Sequence, residues 1–160
     1  MLSLAHTIFP NTELAVKISG IHWWFGTPHH AAELTAGYYQ ANNHNGYADY
    51  EEVLKKHGAH FDFTCMEMTD QQQASANAYC QPEELVRFCV DTVKAQGGAM
   101  SGENALERYD TGAYNQILTQ LRYGKGYFRA FTYLRLGNQL INNGGFYNDF
   151  KNFVANAASI

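Results

Sequence analysis

Residues 14–40 read LAVKISGIHWWFGTPHHAAELTAGYYQ. The opening LAVKIS is a short β-branched and apolar run that suits a buried strand. Thr27-Pro28 then offers an N-cap followed by proline at the first helical position, which predicts a helix over 28–40. The same alternation continues down the chain. Polar ANNHNG (41–46) reads as a loop. YADYEEVLKKH (47–57) repeats apolar residues at Tyr47, Tyr50, Val53 and Leu54 and stops at Gly58. FDFTCM (61–66) predicts a second strand, followed by the long polar excursion TDQQQASANAYCQ (69–81). Pro82 opens a helix with Leu85, Val86, Cys89, Val90 and Val93 on one face, and Gly97-Gly98 break it. AMSGENAL (99–106) supplies a third strand and its loop, AYNQILTQLR (113–122) a helix, and FRAFTYLRL (128–136) a fourth strand. The last segment, 144–160, is a helix striped by Phe146, Phe150, Phe153 and Val154. The order βαβαβαβα is that of an α/β fold with parallel strands and right-handed crossovers.

The bulk composition narrows the function. The chain has 160 residues, 46% of them hydrophobic, 14% aromatic and only 16% charged. This composition is that of a folded domain, since disorder needs low hydrophobicity and high charge. A net charge of -4 gives no broad footprint for nucleic acid. Three cysteines without a spacing pattern make a poor disulfide framework and read as reduced thiols. No basic stretch precedes the short apolar start, and no run approaches the roughly 18 residues of a membrane span. These features predict a soluble intracellular protein without a membrane partner. The length fits one domain, yet it falls well short of the roughly 250 residues of a closed (β/α)8 barrel.

Chemistry in parallel α/β folds collects at the carboxyl ends of the strands. Those ends carry Lys17 and Ser19-Gly20-Ile21-His22-Trp23-Trp24 after the first strand and Thr64-Cys65-Met66-Glu67 after the second. Gly102-Glu103-Asn104 end the third strand and Arg135 the fourth. Indoles stack on the apolar faces of sugars, and hydroxyls need fixed donors and acceptors, so the set suits a polyhydroxylated ligand. Adjacent side chains on a strand face opposite ways, so one of Trp23 and Trp24 is expected in the core. From spacing alone, Glu103 reads as a loop carboxylate that pairs with Arg108 or caps a helix. Lys17 can be a solvated edge residue, Thr64 a β-former and Cys65 a packing thiol. No HExxH or CxxC accompanies the adjacent His29-His30 or the pair His57 and His60, and no metal or cofactor is expected. Gly124-Lys125-Gly126 lacks the spacing of a phosphate loop.

At these residues the sequence closely resembles the β-amylase family, inverting exo-hydrolases of starch. KISGIHWW (17–24), HAAELTAGYY (30–39), FTCMEM (63–68), SGENALERYD (101–110) and TYLRL (132–136) carry the resemblance, which runs from about residue 1 to about 155. It implies maltose release from the non-reducing ends of α-1,4-glucans. Glu103 would be the general base and Thr64 a sugar contact on a mobile inner loop. Lys17, His22 and Trp23 would hold glucose units, and Asn104, Ala105 and Arg135 would complete the contacts. Glu67 matches an inner-loop residue. Glu107 stands where plant members have proline, and the insert before the last strand is short.

The resemblance also implies what these residues do not hold. The family's general acid and further substrate contacts lie on earlier barrel strands. The expectation is therefore the second half of a (β/α)8 TIM barrel, strands five to eight over 1–160, open rather than closed. Such a chain is expected to be inactive alone and to self-associate through its open edges. A non-catalytic, carbohydrate-binding or regulatory relative is the alternative. The compartment expected is cytosol or plastid.

Overall fold

The computed structural model describes residues 1–73 and 78–160. The first helix, α1 (Leu2–Ile8), precedes strand β1 (Leu14–Ile18). Helices α2 (Ala31–Thr35) and α3 (Gly46–Lys56) lead to β2 (Ala59–Phe63), and α4 (Pro82–Gln96) to β3 (Met100–Glu103). Helix α5 (Thr111–Tyr123) leads to β4 (Phe128–Thr132), and α6 (Asn138–Asn142) and α7 (Gly144–Ala157) follow. The sheet order is β1-β2-β3-β4 and each neighbouring pair is parallel. Spatial order equal to chain order is what successive crossovers of one hand produce. Among the described residues β1 and β4 each keep one edge unpaired, so the sheet is open, as half of a (β/α)8 barrel would be.

The helices start and stop for local reasons. The Asn45 side chain accepts the N–H groups of Tyr47 and Ala48 at the start of α3, and Gly58 follows its end at φ +63°. Pro82 opens α4, and Gly97 closes it in the left-handed region. Asp110 accepts the N–H of Ala113 at the head of α5.

Several expected boundaries move. The helix predicted over 28–40 is only Ala31–Thr35. Gly37 turns the chain at φ +92°, and Tyr38 stacks on Tyr47 with ring centroids 4.8 Å apart. Both tyrosine hydroxyls then accept backbone N–H groups of the loop after β1, Gly20 for Tyr38 and Ile21 for Tyr47. On α3 the buried stripe is Tyr47, Glu51 and Leu54, at spacing i, i+4, i+7, and Val53 is 52% exposed. The strand expected over 128–136 ends at Thr132, because the Leu134 N–H leaves the ladder to donate to Asn104. Of the polar excursion 69–81, residues 70–73 form a 3-10 turn and 74–77 lie outside the described residues.

Alternation along the strands separates two faces. Ile18, Phe61, Phe63 and Met100 point to the helices and pack with Tyr47, Val86, Val90 and Ile117. Full burial of each such side chain contributes about 1.5–3 kcal/mol. The opposite face carries Lys17, His60, Asp62, Ser101, Glu103 and Thr132. That polar face, flanked by the loops at the carboxyl ends of the strands, holds the candidate site.

Candidate active site

Glu103 ends β3 and is 5% exposed. Its carboxylate pairs with the ammonium of Lys17, which reaches from β1 across the intervening strand. Lys17 lies in register with Asp62 on β2, and Asp62 with Ser101 on β3, two residues before Glu103. The pairing with Arg108 that spacing alone favoured does not form. The Arg108 guanidinium grips Asp110 instead, at 2.9 and 2.8 Å.

The residues after Glu103 tie three segments together. Asn104 is buried, its Oδ1 accepts the Leu134 N–H at 2.7 Å, and its Nδ2 donates to the Leu106 carbonyl at 3.1 Å. The Ala105 carbonyl accepts Nε and Nη2 of Arg135 at 3.0 and 2.8 Å. Glu67 arrives from the segment after β2, buried, and accepts the Ala105 N–H at 3.0 Å and the Leu106 N–H. The Met66 N–H donates to the Glu103 carbonyl at 3.2 Å. Thr64 is the first residue beyond β2 and opens this segment. Lys17 thus makes contact with Glu103, whereas the Asn104 amide serves the backbone. Arg135 lies in the turn beyond β4, not on the strand.

Glycine makes one of these approaches possible. A side chain at Gly102 would meet Met66 at 3.0 Å, so its bare Cα lets the inner segment lie against β3.

His22 and Trp23 sit on the loop after β1. That loop turns at Gly20 (φ +64°), where a Cβ would meet the Phe63 ring at 2.7 Å. The His22 ring lies 5.1 Å from that of Trp23. Its Nδ1 is buried without a partner, and burial lowers its pKa, which favours the neutral imidazole. The expectation that one tryptophan is core is not met: Trp23 is 45% and Trp24 37% exposed. Both lie in a turn after β1 has ended, where strand alternation no longer applies. Among the described residues no hydrogen bond links His22 or Trp23 to Lys17 or Glu103. Cys65 is buried, and burial pushes its thiol up to about 12, which suits a packing role.

A family model described as glycosyl hydrolase family 14 matches residues 1–159. The chain belongs to that family. Among its relatives is a beta-amylase of Triticum aestivum, 46% identical over 151 residues, covering 89% of this chain and 29% of the relative. Another is the chloroplastic beta-amylase 2 of Oryza sativa, 44% identical, covering 88% of this chain and 26% of the relative. A solved structure, the catalytic domain of beta-amylase from Paenibacillus polymyxa, superposes with a TM-score of 0.78 at 28% identity. It covers 96% of this chain and 36% of that domain. The chain thus spans less than a third of the length of these plant relatives.

Within this family 14 chain two acidic residues gain significance that their spacing did not disclose. Glu67 lies between Met66 and Met68 in an apolar run, and a carboxylate so placed must find donors when it is buried. Asp62 alternates with Phe61 and Phe63, which puts it on the polar face beneath Glu103. Glu107, at the departure from the plant pattern, accepts the Tyr109 hydroxyl at 2.6 Å.

Proposed function

We propose that the chain carries the general-base side of a β-amylase-type site. Such a site hydrolyses α-1,4-glucosidic linkages of starch-like glucans and releases maltose from non-reducing ends. The observation that carries this reading is the buried Glu103 at the carboxyl end of β3, in contact with the Lys17 ammonium. An inverting glycosidase uses one carboxylate to activate water and a second carboxyl group to protonate the leaving oxygen, roughly 6.5–9.5 Å away. Glu103 takes the first role. Lys17 and His22 contact glucose units on the leaving side, and the exposed Trp23 indole offers an apolar face for a sugar ring. Thr64 contacts the sugars from the inner segment, and Asn104, Ala105 and Arg135 complete the contacts.

Two other carboxylates lie close in the fold, and neither fits the second role. Glu67 is held by the amides of Ala105 and Leu106. Asp62 lies on the same sheet face one layer below Glu103, not across a cleft from it. In this reading residues 1–160 form strands five to eight of a single barrel domain. The polypeptide of these residues alone has negligible activity and associates through the free edges of β1 and β4. Of the two proposed compartments, cytosol and plastid, the chloroplastic names of the rice relatives support the plastid.

The test is a chimera in which residues 1–160 replace the matched segment of the wheat relative. Maltose release from soluble starch is expected, with a loss of at least about 10²-fold on Glu103→Gln. Maltose binding without hydrolysis, indifferent to Glu103→Gln, would instead support the regulatory reading. For the 160-residue chain alone, release at the rate of a complete β-amylase would overturn its inactivity, and a monodisperse monomer in sedimentation would overturn the association.

A further inference from the structure

The turn after β1 carries His22 and Trp23, and its backbone is anchored on both sides of them. β1 ends at Ile18 and Gly20 turns the chain at φ +64°, so the N–H groups of Gly20 and Ile21 leave the ladder and need other acceptors. Two side chains supply them. The Tyr38 hydroxyl accepts the Gly20 N–H at 3.2 Å, and the Tyr47 hydroxyl accepts the Ile21 N–H at 3.1 Å. On the other side the His22 carbonyl accepts the Gln81 N–H at 2.9 Å, and the Trp24 N–H donates to the Ala78 carbonyl at 2.8 Å. Trp24 is held at φ +54°, a conformation that a bulky residue keeps only when its surroundings impose it. Between these anchors stand His22 and Trp23, with ring centroids 5.1 Å apart.

The two tyrosines are themselves fixed. Tyr47 is fully buried on α3, and the Tyr38 ring stacks on it within 15° of parallel. Tyr47 also meets Phe63 of β2 and Phe88 of α4 edge-on, at 6.4 and 6.0 Å. Phenylalanine would fill the same space, so packing alone does not call for the hydroxyls. What the hydroxyls add is an acceptor for each of two N–H groups in the turn.

We propose that Tyr38 and Tyr47 are positioning residues of the candidate site: their hydroxyls fix the turn after β1 and so hold His22 and Trp23 ready for a glucose unit. The inference rests on the proposed sugar contacts of His22 and Trp23 and extends it to the residues behind them. A turn ordered in advance does not have to be ordered when the sugar binds, and that saving appears as affinity. Contacts made equally to substrate and transition state act on KM and leave kcat unchanged.

The chimera tests this with Tyr47→Phe and Tyr38→Phe. Each is expected to raise KM for soluble starch about 3- to 10-fold, the worth of one hydrogen bond, with kcat within about twofold. Added to His22→Ala, Tyr47→Phe is expected to raise KM by less than it does alone, because part of what it positions is gone. An unmoved KM, or a fall in kcat with KM unchanged, overturns the proposal. So does full additivity with His22→Ala. Hydrogen exchange followed by mass spectrometry supplies the second measurement. Tyr47→Phe is expected to speed exchange over residues 20–24 while β1 and β2 stay protected, and unchanged exchange there overturns the proposal. If Tyr47→Phe does not fold, Tyr38→Phe is judged on the same readouts. An inactive chimera would defeat the proposed function, and the exchange of residues 20–24 would still decide whether the tyrosines hold the turn.

Discussion

The Glu67 carboxylate accepts the backbone N–H of Ala105 at 3.0 Å on each oxygen, and so joins the segment after β2 to the loop that follows Glu103. The contact is buried. Glu67→Gln keeps the shape but turns an amide donor toward N–H donors. Hydrogen bonds to a buried charged group contribute about 1.5–3 kcal/mol, and a loss of that size in unfolding free energy is expected. Hydrogen exchange at Ala105 and Leu106 should accelerate, and unchanged protection there would show that the loop holds itself.

Lys17→Met removes the cation from a carboxylate that stays 6% exposed. Breaking a fully buried pair costs roughly 3–5 kcal/mol. The Lys17 side chain is 48% exposed, so solvent already screens it, and about 1–3 kcal/mol is expected. Chemical denaturation of both proteins at neutral pH reads this directly, and equal midpoints would mean that the pair adds nothing.

Glu51 predicts a pH dependence. It is fully buried on α3, neither carboxylate oxygen has a partner, and burial pushes its pKa from 4.5 up to about 7. A carboxyl raised on folding costs nothing below its unfolded value. Its penalty grows as pH rises above that value and is complete above the folded one. Stability should therefore fall by about 3 kcal/mol between pH 4.5 and 7 on this account alone. Urea titrations at pH 5 and pH 8 should show Glu51→Gln flattening that slope and gaining most at pH 8. A slope that survives the substitution would assign it to other groups.

Asn104→Ala orphans the Leu134 N–H and the Leu106 carbonyl together. Leaving buried groups unsatisfied costs about 1–3 kcal/mol each at most, and the turn after β4 should loosen first. Faster hydrogen exchange at Leu134, with β3 still protected, is the expected signature. Loss of protection across the whole sheet would place Asn104 in the global core instead.

The parts of the fold legible in the sequence are those with local causes. Pro82 and Gly97 bracket α4, Gly58 stops the chain after α3, and apolar runs mark β1 and β2. What stayed hidden depends on partners distant in sequence. α2 is short because Tyr38 is drawn onto Tyr47, and β4 ends early because Leu134 turns to Asn104. The site shows the same division. Glu103 was found through its motif, but its ion partner lies 86 residues away, and Glu67 acts on a loop 38 residues on. Nothing in the spacing of α3 ranks Glu51 above Val53 for burial until the helix is seen against α4.

The seat that Gly102 leaves for Met66 also makes a chemical clock. The Met66 side chain is fully buried against Gly102, while Met1 is 98% exposed. Peroxide reaches the Met66 sulfur only when the inner segment lifts from β3, and the sulfoxide that forms is too polar to return to that seat. The rate of Met66 oxidation relative to that of Met1 therefore counts the openings of the segment that bears Thr64, without a label and without a substrate.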